Sequence, residues 1–424
     1  MKKILLVGSG AREQAIAEAL VRSRGGVELF VVGKSRNPGI LPLAAEYVVG
    51  DIGDLAFVRD FALKCGVDFG IIGPEDPIAR GVVDGLWEAG VKCCSPLREL
   101  GKLEWSKGFT RDLLTKHGIF GNPKYKVFRD ENGLREFFEE LGEDFVVKAD
   151  GLKGGKGVMV SGDHLHGIEE GVAYALECLR DAGSVVVEEK LVGEEFSLMS
   201  FCDGVTTVSM PCIRDHKRAY EGDKGPNTGG MGTYSCADGM LPFLKATDVA
   251  AAEEITRQVA QALREECGSG FKGVMYGGFM TVKDGVRLIE YNARFGDPEA
   301  MNALCLLESN FVELCEAIIE GTLDQFEVKF AAKATVCKYV VPEGYPDDGV
   351  NGVAIEIGEV PEGVQVFYAS VDLAEDGRLI LGGSRAVAFV GVGADLAEAE
   401  KLAEAGAACV RGPVFWRKDI GRFN

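Results

Sequence analysis

Short apolar runs alternate with amphipathic stretches along the first hundred residues. Ile4-Leu-Leu-Val7, Leu29-Phe-Val-Val32 and Phe69-Gly-Ile-Ile72 are continuous and too short for helices, as strands buried on both faces require. The segments 12–24, 54–64 and 77–89 between and after them carry helical spacing. The alternation predicts a doubly wound parallel α/β unit over 1–104, whose ligands would bind beyond the carboxyl ends of the strands.

Beyond residue 105 the rhythm lengthens. Strands are predicted near 145–149, 157–161 and 185–188 around a helix near 166–181, and a second set at 196–209, 274–282 and 287–292. This reads as a central α+β unit over 105–323 with a lid subdomain at about 124–192. Residues 324–424 return to short strands with one helix near 395–409, a small mixed α/β C-terminal unit. The fold class is α/β.

Composition narrows the function. Hydrophobic residues at 46% and charged residues at 26% are ordinary globular values. A net charge of -20 speaks against a nucleic-acid partner, which needs a basic surface. Twelve cysteines form no CxxC or zinc spacing, and the four histidines give no metal pattern. With no 18-residue apolar run and no signal-peptide pattern, the expectation is a cytoplasmic protein without a membrane partner, for which a monomer suffices. Glycine stands out at 57 of 424 residues, so many backbone sites turn sharply or approach a ligand.

Two N-terminal loops look equipped for ligands. Gly8-Ser-Gly10-Ala-Arg12-Glu13 follows the first strand and opens a helix, where free N–H groups favour an anion. Glu13 replaces the third glycine of a dinucleotide fingerprint, so a substrate phosphate is favoured over NAD, and a plain tight turn is the competing reading. Gly73-Pro-Glu-Asp-Pro77 offers Glu75 and Asp76 to an amine or to hydroxyls, although Asp76 would equally serve as a helix cap.

The central unit holds the strongest chemistry. Lys148 ends an apolar strand and begins Lys148-Ala-Asp-Gly-Leu-Lys-Gly-Gly-Lys156, which is not a Walker A loop, because Gly151 to Gly155 encloses three residues and Gly157 follows Lys156. Gly154, Gly155 and Lys156 would still cradle phosphates as a lid between strands. Glu188, Glu189, Lys190 and Leu191 follow a strand and could offer backbone groups to an adenine edge, with Glu195 for ribose hydroxyls. Glu290 and Asn292, two apart on a strand, present a carboxylate and an amide oxygen on one side, a donor set suited to Mg²⁺. Asp215-His-Lys-Arg218 and Gly225-Pro-Asn-Thr-Gly-Gly-Met-Gly232 form a cationic, glycine-rich loop in which Asn227, Thr228 and Gly229 add groups for an anionic substrate.

Taken in order, these segments, with Ser106-Lys107-Gly-Phe109, Glu290-Tyr-Asn-Ala-Arg-Phe-Gly-Asp-Pro-Glu299 and Arg417-Lys-Asp-Ile-Gly421, resemble the ATP-grasp superfamily and, within it, the phosphoribosylamine–glycine ligases of purine biosynthesis. The resemblance covers the whole chain and implies a central ATP-grasp domain, ATP with Mg²⁺ or Mn²⁺, and glycine and 5-phosphoribosylamine as substrates joined through glycyl phosphate. It implies that Lys107 and Lys148 bind ATP phosphates, that Glu189 to Leu191 form the adenine edge, that Glu195 binds the ribose and that Glu290 and Asn292 hold the metal. Asp215, Lys217 and Arg294 fall near the reacting substrates as candidate catalytic residues, with Gly8, Gly10, Arg12, Glu13 and Glu75 on the substrate side. The chain departs from the family pattern at Ala11, Gln14 and Lys153-Gly154.

Overall fold

The computed structural model describes residues 1–151 and 157–422. The first unit is a five-stranded parallel sheet in the order β3-β2-β1-β4-β5, from β1 (Lys2–Val7), β2 (Val27–Gly33), β3 (Ala44–Val49), β4 (Phe69–Ile72) and β5 (Lys92–Cys93). Its helices are α1 (Ala11–Val21), α2 (Leu55–Cys65), α3 (Glu75–Ala79) and α4 (Val82–Glu88). The strand order reverses at β1 and β4, so their carboxyl ends deliver the Gly8 and Gly73 loops side by side. The single helix expected over 77–89 is instead two, broken at Gly81, whose φ of +82° suits glycine and ends the first helix. Asp76 does not cap it: Pro74 is at the N-cap position and Asp76 pairs with Arg80 at 3.7 Å.

Two helices, α5 (Arg98–Trp105) and α6 (Lys107–Lys116), lead into a four-stranded antiparallel sheet, order β6-β9-β7-β8. Its members are β6 (Tyr125–Phe128), β7 (Phe145–Ala149), β8 (Val158–Val160) and β9 (Val185–Glu189), backed by α7 (Leu134–Leu141) and α8 (Ile168–Ala182). The edge-to-face pair Phe138–Phe145 helps fix helix to sheet.

The facing sheet, β11-β10-β16-β17, is antiparallel and comprises β10 (Glu194–Asp203), β11 (Thr207–Ser209), β16 (Lys272–Val282) and β17 (Gly285–Asn292). The strand expected over 196–209 turns back at Asp203, whose carboxylate accepts the N–H groups of Val205 and Thr206. On the outer side the long helix α9 (Ala246–Cys267) packs over this sheet, and α10 (Glu299–Leu306) and α11 (Phe311–Glu320) follow β17.

The C-terminal sheet reaches back across the boundary expected at 323. Strands β12 (Arg214–Asp215) and β15 (Gly232–Ser235), which flank the hairpin β13 (Arg218–Tyr220) and β14 (Lys224–Asn227), join β18 (Ala334–Pro342) in the order β12-β15-β18-β23-β20. Here β20 is Val364–Tyr368 and β23 is Val387–Gly393, with α12 (Leu396–Ala407) packed against them. The glycine-rich substrate loop is therefore rooted in the last unit. Gln14 and Asn37 of the first unit also hold β20, through the Val366 and Tyr368 backbone.

Candidate active site

The units meet around a cleft of about 690 Å³. The half expected to take the nucleotide is organised by a buried ion cluster. Lys148, at the end of β7, pairs with Glu188 of β9 at 2.8 Å and donates to the Ile289 carbonyl at 2.9 Å. Arg111 of α6 grips the same Glu188 through two bonds of 2.6 and 2.9 Å and donates to the Leu288 and Ile289 carbonyls. Burial opposes the charge on Glu188, but Arg111 and Lys148 override it and keep the carboxyl below its ordinary value. Burial in turn lowers Lys148 despite its partner. The Glu188 side chain thus secures Lys148 rather than reaching for a ligand. The Glu189 and Lys190 N–H groups are taken by the Lys124 and Asp144 carbonyls, which leaves Leu191 as the donor of the expected adenine edge.

Lys107 opens α6, its N–H bound to Asp150 at 2.7 Å and its ammonium to the Gly151 carbonyl at 3.1 Å. Lys107 and Asp150–Gly151 thereby fasten the start of the glycine-rich run to the helix. Gly154, Gly155 and Lys156, with Lys153, lie outside the described residues.

Glu290 and Asn292 share one face of β17, while Tyr291 points the other way to bond Thr256 on α9 at 2.9 Å. Burial again works against ionisation of Glu290, but Lys217, Lys148, Lys107 and Arg294 lower its pKa. An ionised carboxylate beside an amide oxygen, open to the cleft, fits a hard divalent cation that takes its other ligands from phosphates and water. Among the described residues no group of three His, Cys, Asp or Glu stands ready to hold a metal.

The half expected to take the substrates gathers around Arg294, which contacts Glu104 at 2.9 Å and Glu75 at 3.4 Å. Burial works against the Glu75 charge, yet Arg294 and Arg12 hold its carboxyl down to about 2. Lys217 lies 3.6 Å from Glu195 and 4.0 Å from Glu290. Asp215 has one carboxylate oxygen buried without a hydrogen-bond partner, and burial together with nearby Glu299 raises its pKa well above the usual carboxylate range. Glu299 itself accepts from Ser197 at 3.0 Å and Tyr276 at 2.9 Å. Gly230 allows this packing: a Cβ there would stand 2.8 Å from the Asp215 oxygen, at a φ of +108°.

Thr228 turns inward, its N–H and hydroxyl both donating to the Lys217 carbonyl. Asn227, Thr228 and Gly229 line the cleft, and Arg385 of the last unit clamps the Gly229 and Gly230 carbonyls and Asp297. Three expected residues do not line it. Glu13 accepts the Gly10 N–H at 2.7 Å and pairs with Arg12 at 2.6 Å, and a Cβ on Gly8 would come within 2.5 Å of its side chain. One of the N–H groups expected to receive a phosphate, that of Gly10, thus already holds a carboxylate of the chain, while Arg12 does reach the cleft wall.

Comparison with known proteins decides the family. Three models match in succession: the phosphoribosylglycinamide synthetase N domain over residues 2–104, its ATP-grasp (A) domain over 105–300 and its C domain over 335–423. A phosphoribosylamine–glycine ligase of Methanopyrus kandleri is 46% identical over 438 residues, spanning 100% of this chain and 96% of its own. That of Pyrococcus horikoshii is 45% identical and covers 99% and 94%.

The chain belongs to the phosphoribosylglycinamide synthetase family.

As a member of that family it is an ATP-grasp ligase. Among solved structures, the phosphoribosylamine–glycine ligase of Thermotoga maritima superposes with a TM-score of 0.83 at 27% identity, covering 98% of this chain and 99% of that one. A biotin carboxylase of Campylobacter jejuni reaches 0.76 at 13% identity, covering 99% and 94%, a likeness of fold. Within the phosphoribosylglycinamide synthetase framework, four cleft residues escaped the sequence reading: Glu104, Arg111, Glu299 and Arg385. Glu299 ended a segment already singled out; the other three act through partners far away in sequence, which no local pattern signals.

Proposed function

We propose that the cleft joins glycine to 5-phosphoribosylamine through glycyl phosphate, with Mg²⁺ on Glu290 and Asn292 and the residue roles given below. The ligation itself, ATP-dependent and yielding glycinamide ribonucleotide, ADP and phosphate in purine biosynthesis, follows from family membership. The observation that carries the finer reading is the placement of Lys107, Lys148, Lys217 and Arg294 around one cleft with Glu290, Lys217 standing 4.0 Å from its carboxylate. A glycine carboxylate oxygen would attack the γ-phosphorus as ADP leaves; the amine would then form the C–N bond as the C–O bond to phosphate breaks and the nitrogen loses a proton.

Such chemistry asks the protein for alignment and charge neutralisation rather than a nucleophile. A bound divalent cation supplies further neutralisation of the phosphate oxygens. Lys107 and Lys148 face those phosphates, Leu191 supports the adenine, and Glu195 the ribose. Arg294, held between Glu75 and Glu104, orients the glycine carboxylate. Asp215, whose carboxylate oxygen is unpartnered, and Glu299 beside it suit the glycine ammonium, which would also relieve their mutual repulsion. Twelve cysteines, none of them in a disulfide, support a reducing, cytoplasmic setting.

The test is product analysis after mixing ATP, glycine and freshly generated 5-phosphoribosylamine, run as positional isotope exchange with ¹⁸O at the β–γ bridge of ATP. Scrambling that requires glycine but not the amine is expected. ADP formation that never precedes amine addition, with no scrambling, would remove glycyl phosphate. Activation of bicarbonate in place of glycine would instead favour a carboxylase.

A further inference from the structure

One conspicuous segment takes no part in the chemistry above: Arg417-Lys-Asp-Ile-Gly421. Arg417 is among the largest fully buried side chains, at 1% exposure. Its fork is fully occupied. Nε and Nη2 donate to Asp419 at 2.9 and 2.6 Å, Nη1 donates to the Arg218 carbonyl at 3.0 Å and to Asp223 at 2.7 Å, and Nη2 faces His216 Nδ1 at 3.5 Å. The flanking backbone repeats the attachment: Asp419 accepts the Gly222 N–H at 3.0 Å, and the Lys418 N–H donates to Glu221 at 3.2 Å.

Every one of these contacts beyond Asp419 falls on residues 216–223, the loop that presents Lys217 to the cleft. Asp223, at the tip, is the non-glycine residue with positive φ, +53°, among the described residues. Backbone in that region is retained where the surroundings enforce it. The next residue after Lys217 reaches further: Arg218 pairs with Asp163 of the lid subdomain at 2.7 Å and donates to the Gly225 carbonyl at 2.9 Å. A continuous chain of contacts thus runs from Arg417 through the loop to the lid.

We propose that Arg417, braced by Asp419, is a positioning residue that fixes the 216–223 loop so that Lys217 faces the substrates and Arg218 holds the lid subdomain. Stapling the C-terminal segment to its own sheet does not need it. Lys338, fully buried, bonds Glu400 and Glu404 at 2.7 Å each and the Lys418 carbonyl at 3.0 Å, and Arg422 bonds Glu400 at 2.7 Å. A lysine at 417 would keep the charge but not the five-donor planar fork that spans two carboxylates and a carbonyl.

The proposal rests on the ligase reading, and the experiment separates the two. Arg417→Lys, Asp419→Asn and, as control, Arg422→Ala are assayed with ATP, glycine and 5-phosphoribosylamine beside the wild type. Steady-state constants, ADP released per glycinamide ribonucleotide and melting temperature are recorded. A wild type that forms no product overturns the ligase reading itself. Given wild-type product, Arg417→Lys and Asp419→Asn are expected to lower kcat/KM for 5-phosphoribosylamine by on the order of 10- to 100-fold. They should also raise ADP per product, as acyl phosphate is lost to water under a poorly held lid. Arg422→Ala should match wild type in both. Wild-type constants and stoichiometry in the first two variants, or losses in all three that simply follow melting temperature, would overturn the positioning role. If Arg417→Lys does not fold, Asp419→Asn decides, since it removes one charge and keeps the shape.

Discussion

Glu290 is kept ionised against its burial by four cations of the cleft, Lys217, Lys148, Lys107 and Arg294. Replacing it with Ala, or with the isosteric Gln, is expected to abolish ligation at ordinary Mg²⁺; near-normal turnover would remove the metal assignment. Glu75 makes a different prediction, about stability. Its folded pKa of about 2 lies below the ordinary 4.5, so its contribution is complete above about pH 4.5 and is lost as pH falls toward 2. Chemical denaturation across that window should show Glu75→Gln losing less stability on acidification than wild type; parallel curves would contradict the ion pair. At this scale the sequence was a good guide where the signal is local. Two residues apart on a strand placed Glu290 and Asn292 together. Glu104, which bonds Arg294 and the Ala293 N–H at 2.8 Å, lies 189 positions from its backbone partner and sent no such signal.

Elements are joined in the nucleotide half by one side chain. Arg111 on α6 ties β9 through Glu188 and β17 through two carbonyls, so Arg111→Met would leave Glu188 with Lys148 as its remaining cation, the Leu288 carbonyl without its donor and three elements untied. A destabilisation of roughly 1–3 kcal/mol is expected, seen as a lower melting temperature and urea midpoint. A melting curve like that of wild type would show the fork to be dispensable. Strands were the most legible elements: β1, β2, β4, β7 and β9 are apolar runs that could be little else. Where an expected element was interrupted, a turn-forming residue was responsible. Gly81 split a helix whose apolar spacing continues across it, and Asp203 with Gly204 turned one expected strand into a hairpin. Periodicity survives such interruptions, so a reading based on it runs through them.

The whole molecule depends on joints between units that the sequence could not show. Asn37 is wholly buried and donates to the Ser9 carbonyl at 3.0 Å in its own unit and to the Tyr368 carbonyl at 2.7 Å in the last. Asn37→Ala strands these acceptors, each worth about 1–3 kcal/mol. It should lower the melting temperature and quicken proteolytic release of the C-terminal unit; unchanged digestion would mean that the joint is carried elsewhere. The boundary expected at 323 cuts through a sheet, because β15, which carries β12 on its other edge, pairs long-range with β18, and pairing of that kind leaves no mark on composition. Glu13 closes the matter of the first loop. A glycine in its place would leave a nucleotide-like pocket with an empty anion seat and an Arg12 balanced by Glu75 alone, 4.0 Å away. With glutamate there, the seat is taken by a permanently tethered competitor at very high local concentration. Free phosphate, sulfate or dinucleotide in the surrounding solution should therefore find nothing to displace, and a loop that looks borrowed from cofactor-binding enzymes should be indifferent to their cofactors.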